Sequence, residues 1–261
     1  MELGQIHNDM KNLNEAIPEG EDIMLYMNTW GNYNENGADA DQIGGGWKSL
    51  DDALEFWNTM NDKGEEPFIN DVDDNIGLPF EISENSHVPD IIEQINDYID
   101  LDDSDKKALS AIMEADSYDY DEAKNILDSG DYVFYEDVSD NYGLAEAEIW
   151  NTGSFEDAVG KDNLATYIDT DEVYNDWYDD LRNEYIENQQ YDNPDFNEDD
   201  IMDDELDDYI NGYIQDYVDM ASEDPQAYKD FLEQFFDYES YGQDLAFDFT
   251  FTPFGAIYIY H

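Results

Sequence analysis

Seventy aspartates and glutamates stand against nine lysines and arginines in this chain, a formal charge of −61. An acid excess of that size usually marks a disordered segment poor in aromatic and branched aliphatic residues. This chain instead carries 21 Tyr, 13 Phe and 5 Trp in 261 residues, and 41% of it is hydrophobic. The combination predicts a folded protein whose large aromatics anchor elements with otherwise charged faces. The length suits one large domain or two to three small ones with a sizeable buried core.

The same charge excludes several functions. Phosphate contacts are made mainly by Lys and Arg, and the only Arg is Arg182, so direct nucleic-acid binding and anionic membrane surfaces are disfavoured. The partner of a −61 surface should be strongly basic. With no Cys, disulfides, thiolate zinc sites, Fe–S clusters and Cys nucleophiles drop out. Met1 to Ile17 lacks a basic and an apolar signal region, and no run nears eighteen apolar residues. The expectation is a protein of the cytoplasm, neither exported nor membrane-spanning.

Along the chain, residues 1–21 read as an extension. Ile23 to Trp30 is strand-like, Gly31 to Gly46 an Asn- and Gly-rich turn, and Trp47 resumes the sheet. Ser49 or Asp51 caps a helix showing Leu54, Trp57 and Phe56 to a core, and short extended pieces follow at Pro67 to Ile69 and Leu78 to Ile82. Val88, Ile91, Ile92, Ile95, Tyr98 and Ile99 make an amphipathic stripe. Ser104 caps a second helix through Met113, and Asp119 to Leu127 forms a third, stopped by Gly130. After a strand at Asp131 to Tyr135 and a helix at Asp140 to Trp150 come two long acidic helices. Asp171 to Glu187 has the stripe Val173, Trp177, Leu181, Tyr185; Glu198 to Met220 has Met202, Leu206, Tyr209, Tyr213, Tyr217. Asp224 to Phe236 gives a further helix. Phe247, Phe249, Phe251, Gly255, Ile257 and Ile259 alternate as a closing β-hairpin. The fold class is α+β: an elongated, multi-part chain with a small α/β domain at 22–86, a helical middle at 87–129, and a C-terminal α/β domain at 130–261 carrying an acidic helical insertion near 170–222.

Catalytic and metal patterns are weak. Among 70 acids close carboxylate pairs arise by chance, so a glycosidase-like dyad has no support beyond abundance. Asp71 to Gly77 resembles a calcium loop, but an EF-hand needs Gly at its sixth position and Glu at its twelfth, where Ile76 and Ile82 stand. Gly44-Gly45-Gly46 lacks the Lys-Ser/Thr of a phosphate cradle and reads as a turn. His7, His87 and His261 are scattered. No cofactor, catalytic or metal site is predicted, and the chain reads as a non-enzyme.

The charge itself is the informative feature. Solubility needs only about 2–8 net charges on a small domain, and any excess repels itself. B-DNA carries roughly one negative charge per 1.7 Å of axis, so −61 corresponds to about 100 Å of duplex. Carboxylates at i and i+4 on a helix lie about 5–6 Å apart at their Cβ atoms, comparable to successive phosphates. The candidate DNA-mimic carboxylates are Asp176, Asp179, Asp180, Asp199, Asp200, Asp203, Asp204, Asp207 and Asp208, within a stretch 171–220 holding 19 acids against Arg182 alone. Asp100, Asp102 and Asp103 form a second group.

The run Phe236-Asp237-Tyr238-Glu239-Ser240-Tyr241-Gly242-Gln243-Asp244-Leu245, followed by Gly255-Ala256-Ile257-Tyr258-Ile259, resembles the closing segment of the ArdA antirestriction proteins, with Gln243 where that family has Arg. Asn32-Tyr33-Asn34-Glu35, Gly45-Gly46-Trp47 and Leu78-Pro79-Phe80 are similar to its N-terminal part. Asn163 to Asp169 repeats the closing pattern weakly. The resemblance covers most of 22–168 and 224–261. Residues 1–21 and roughly 170–222 have no counterpart. It implies a homodimer of three-part protomers joined through the C-terminal part, whose acidic surface occupies the basic DNA-binding groove of type I restriction–modification enzymes in the host bacterium. Tyr238, Tyr241, Gly242, Asp244 and Leu245 carry over as motif residues with structural roles. The rivals read from the residues are an acidic chaperone or sequestering protein for a basic partner, and a halophilic enzyme.

Overall fold

The computed structural model describes residues 22–260. The extension at 1–21, with His7, and the terminal His261 lie outside them. The chain is α+β: twelve α-helices and two three-stranded antiparallel sheets among the described residues. It divides into two compact units, one running to Asp131 and the other starting at Tyr132.

In the first unit, β1 (Ile23–Thr29) lies between β2 (Gly46–Lys48) and β3 (Pro67–Asp74). It is buried along its whole length, as expected of a central strand written Ile-Met-Leu-Tyr-Met. Tyr26 faces Trp47 across the β1–β2 ladder, their rings edge-on at 5.2 Å. Helix α2 (Leu50–Asp62), capped by the Ser49 hydroxyl accepting from the Asp52 N–H, buries Ala53, Phe56 and Met60, while Leu54 and Trp57 stay half-buried. Helix α3 (Val88–Asp100) seats Val88, Ile91, Ile92 and Ile95 in the core shared by β1 and α2. Helices α4 (Asp103–Asp116) and α5 (Tyr120–Ser129) follow. The α5 capping box of Asp119 and Glu122, and Gly130 at φ 73°, bound that helix as its residues predict.

Three expectations fail in this unit. The turn at Gly31 to Gly46 contains a helix, α1 (Trp30–Asn36), nucleated by the Thr29 hydroxyl accepting from the Asn32 N–H. The Asn28 side-chain oxygen accepts from the Thr29 N–H and the Asn32 amide, so buried asparagines satisfy one another and the backbone there. Leu78 to Ile82 forms no strand, because the Asp74 carboxylate gathers the backbone N–H groups of Ile76, Gly77 and Leu78 into a tight turn. The cap of α4 is Asp102, not Ser104: its carboxylate accepts from the Asp105 N–H at 2.9 Å.

In the second unit, β6 (Gly255–Ile259) lies between β4 (Tyr132–Glu136) and β5 (Thr250–Thr252). Phe247 and Phe249 precede the hairpin in a turn rather than extending it. Around this sheet run α6 (Asn141–Thr152), α7 (Phe155–Val159), α8 (Lys161–Leu164), α9 (Thr170–Asp192), α10 (Asp203–Glu223), α11 (Lys229–Phe235) and α12 (Tyr238–Leu245). The expected helix from Asp224 starts only at Lys229, since 224–228 turns on the Asp224 carbonyl and carboxylate. The insertion is built into the unit's core: Val173, Leu181 and Tyr185 of α9 and Leu206, Ile210, Ile214 and Val218 of α10 pack with Phe231, Leu232 and Phe235 of α11.

Candidate functional site

Helices α9 and α10 form a hairpin whose ring contacts run antiparallel, early residues of one meeting late residues of the other. The Trp177 ring stands edge-on to Tyr217 at 5.0 Å, and Tyr185 meets Tyr209 at 5.3 Å. The buried line of α10 is Leu206, Ile210, Ile214, Val218 and Ala221. The predicted tyrosine line sits one position off it: Tyr209 and Tyr217 are half-buried at its edge, while Tyr213 and Met202 are exposed. Tyrosine tolerates that boundary because its ring packs while its hydroxyl reaches water or a polar partner.

Every acid of 171–220 whose side chain is described is exposed. Asp176, Asp179 and Asp180 lie on α9 at helical spacing with Glu172, Glu184 and Glu187, all toward one face. Asp203, Asp204, Asp207 and Asp208 make two i, i+4 pairs in the opening turns of α10. Asp199 and Asp200 are not on that helix but in a separate 3-10 turn, Glu198–Asp200, because α10 begins only at Asp203. The 23 residues of α9 span about 34 Å. Duplex DNA of that length carries about 20 charges, and the stretch 171–220 holds 19 acids and one base.

These helices are cross-linked with little neutralisation. The Tyr174 hydroxyl donates to Asp207 at 2.6 Å, that of Tyr209 to Glu184 at 3.2 Å, and that of Tyr185 to Glu205 at 3.5 Å. The bond to Asp207, with burial adding to it, pushes the Tyr174 hydroxyl up to about 12. Burial, then Glu184, raises Tyr209 above the usual tyrosine range, and burial, then Glu205, does so for Tyr185. The one guanidinium, Arg182, pairs with Glu198 at 2.9 Å.

The second group lies in the first unit. Asp100 ends α3, Asp102 caps α4 and Asp103 opens it, and all three are exposed. The residues Tyr238, Tyr241, Gly242, Asp244 and Leu245 fall on α12, which packs against α6. The Tyr241 hydroxyl donates to the Ala158 carbonyl at 2.8 Å, and Asp244 accepts from Tyr167 at 2.6 Å, which with burial lifts the Tyr167 hydroxyl to about 12. Tyr238 stacks obliquely on Tyr142, and Leu245 lies against the core. These four therefore have packing or hydrogen-bonding roles, and Gly242 lies where a Cβ would meet the Asn141 backbone.

Sequence reasoning left out Asp171, Glu172, Glu184, Glu187, Glu198, Glu205, Asp216 and Asp219, which share the hairpin and its exposure. Helical spacing would have found all of them but Glu198, which lies in the 3-10 turn. Among the described residues no three His, Cys, Asp or Glu side chains converge to hold a metal ion, and no helix is long and apolar enough to cross a membrane. No family model matches the chain, and no curated protein matches it.

Proposed function

We propose that this chain is a non-catalytic DNA mimic of the ArdA kind, which occupies the basic DNA-binding groove of a host type I restriction–modification complex. The observation that carries the reading is the α9–α10 hairpin, whose net charge per unit length is close to that of duplex DNA. Exposed, helically spaced carboxylates held by tyrosine hydroxyls offer a groove lined with Lys and Arg a field resembling that of phosphates. The family likeness rests on the closing-segment motif in the sequence, which forms α12. The site of action would be the bacterial cytoplasm, and the dimer would join through the second unit.

The test is a restriction–modification assay with purified protein, following DNA cleavage and methylation separately at two salt concentrations. Inhibition should be competitive with DNA and should weaken at the higher salt. Asp199, Asp203, Asp204 and Asp208 changed together to Lys, with Asp207 kept for Tyr174, should cut inhibition at least about tenfold while circular dichroism stays unchanged. Undiminished inhibition by that folded variant removes the hairpin from the mechanism. No inhibition by the parent chain, with tight binding to unrelated basic proteins, would favour the acidic-chaperone reading.

A further inference from the structure

Four glycines stand inside the described helices, Gly31, Gly143, Gly212 and Gly242, and three of them have a neighbour where a Cβ would sit. A Cβ at Gly31 would meet the Glu65 carboxylate at 2.9 Å, one at Gly143 that of Asp140 at 3.1 Å, and one at Gly242 the Asn141 backbone at 1.8 Å. Gly212, midway along α10, has nothing within 4 Å, its φ is not positive, and the helix runs unbroken through it from Asp203 to Glu223. Glycine inside a helix weakens it relative to alanine, and here neither packing nor backbone conformation calls for one. The residue leaves a notch on an exposed face. Its neighbours on the helix surface, three and four positions away, are Asp208, Tyr209, Gln215 and Asp216, and both aspartates are exposed.

The borders of the notch select what fits it. Asp208 and Asp216 stand about 12 Å apart along the helix axis with Gly212 between them. Tyr209 borders the notch, and Tyr213, one turn on, stands beside Asp216. Tyr209 is fixed by its bond to Glu184 and by the Tyr185 ring at 5.3 Å. Tyr213, 38% exposed, is held by Tyr217 stacked at 6.2 Å and by Trp177 edge-on at 6.4 Å. Carboxylates at either end and fixed aromatic rings along one wall suit a planar cation. A guanidinium stacks on a ring and gives in-plane N–H groups to carboxylates, whereas an ammonium is a strongly hydrated point charge that gains less from the ring. A side chain at position 212 would take the space the guanidinium needs. Charge complements it, since 171–220 holds 19 acids and one base. We propose that Gly212 is a specificity-determining residue of the hairpin, opening a place where an arginine of the basic partner lies between Asp208 and Asp216. This rests on the reading of the hairpin as the face that meets that partner, and adds a choice of arginine over lysine that charge alone does not make.

The experiment titrates the isotope-labelled full-length protein, at physiological salt, with a short peptide of alternating arginine and glycine and separately with its lysine counterpart of equal charge. The backbone amides of 208–216 are followed by NMR. The arginine peptide should shift them saturably, with a Kd about threefold lower than that of the lysine peptide. Gly212→Gln, which fills the notch and leaves the net charge unchanged, should remove that preference, and Gly212→Ala should reduce it. Both variants should unfold at higher urea than the parent, so that binding falls while stability rises, a split that a merely structural glycine does not give. Equal affinity of the two peptides at these amides, shifts there that do not saturate, or a preference that persists in Gly212→Gln would each overturn the proposal. The titration contains no restriction enzyme, so its failure is distinct from that of the DNA-mimic reading. An arginine preference in a chain that fails to inhibit the complex supports the notch and refutes the mimicry, while inhibition without the preference does the reverse.

Discussion

Gly242 and Gly212 both lie inside helices of the second unit, and the same substitution at each should act in opposite directions. A Cβ built at Gly242 would meet the backbone of Asn141, at 1.8 Å from its oxygen, 2.4 Å from its carbonyl carbon and 2.9 Å from its Cα. Backbone cannot rotate away as a side-chain tip would, so α12 would have to stand about 1.5 Å farther from α6 to reach ordinary contact. That displacement also strains the Tyr241–Ala158 hydrogen bond and the Tyr241 packing on Tyr167 and Phe236. Overpacking usually costs about 1–3 kcal/mol, and a rigid neighbour puts Gly242→Ala at about 3 kcal/mol or more. At Gly212, midway along α10, the same methyl meets nothing within 4 Å, and the residue is exposed. There alanine only removes backbone freedom and should stabilise by about 0.5–1 kcal/mol. Urea unfolding of the full chain, followed by circular dichroism, should therefore separate the two variants by about 4 kcal/mol. A loss below about 1 kcal/mol for Gly242→Ala would refute the close α6–α12 contact, and a destabilised Gly212→Ala would refute the open face of α10.

Two further outcomes follow from charge. Tyr120, Tyr167, Tyr174 and Tyr238 have hydroxyls raised from 10.0 to about 12 in the fold. Their stabilising effect is complete below pH 10 and lost as pH rises toward 12, so tyrosinate absorbance and loss of helical dichroism should climb together in that window; ionisation complete by pH 10 in a folded chain would contradict it. Because the acids repel one another, raising salt from about 10 mM to about 500 mM should raise Tm by about 5 °C or more, and a flat or falling Tm would show that repulsion is not the dominant strain.

Where local chemistry decides an element, the residues announced it. Ser49, Gly130 and the Val88-to-Tyr98 stripe each carry their own cap, stop or period, and α2, α5 and α3 formed there. Helix α1 was missed because Asn and Gly look like turn residues, whereas the buried Asn28–Asn32 pair turns that composition into a satisfied polar knot. On α10 the tyrosine and the isoleucine–valine lines have the same period one residue apart, and only the packing of α9 and α11 decides which goes inside. The acids of the candidate surface were readable one by one, since charge alone predicts exposure. The groove lined by Val138, Trp150, Asp157 and Lys229 was not, because it needs the β4–α6 loop, α6, α7 and α11 brought together from separate parts of the chain.

The tyrosines explain how such a surface holds together without losing its charge. Two acidic helices side by side need links, and the usual link, a lysine or arginine, would cancel one carboxylate for each tie it makes. A tyrosine hydroxyl donates to a carboxylate and leaves its charge in place. Tyr174, Tyr185 and Tyr209 do this across α9 and α10, where Arg182 is the only cation of 171–220. The pattern recurs outside the hairpin, where Tyr135 donates to Glu148 and Tyr167 to Asp244. A chain selected only for solubility gains nothing from preferring tyrosine to lysine in these places, because a mixed-sign surface dissolves as well and folds more easily. A chain whose negative field is its working part gains the tie and keeps the field. These five ties are what a surface both rigid and uncompensated would use, as the proposed imitation of a phosphate backbone requires.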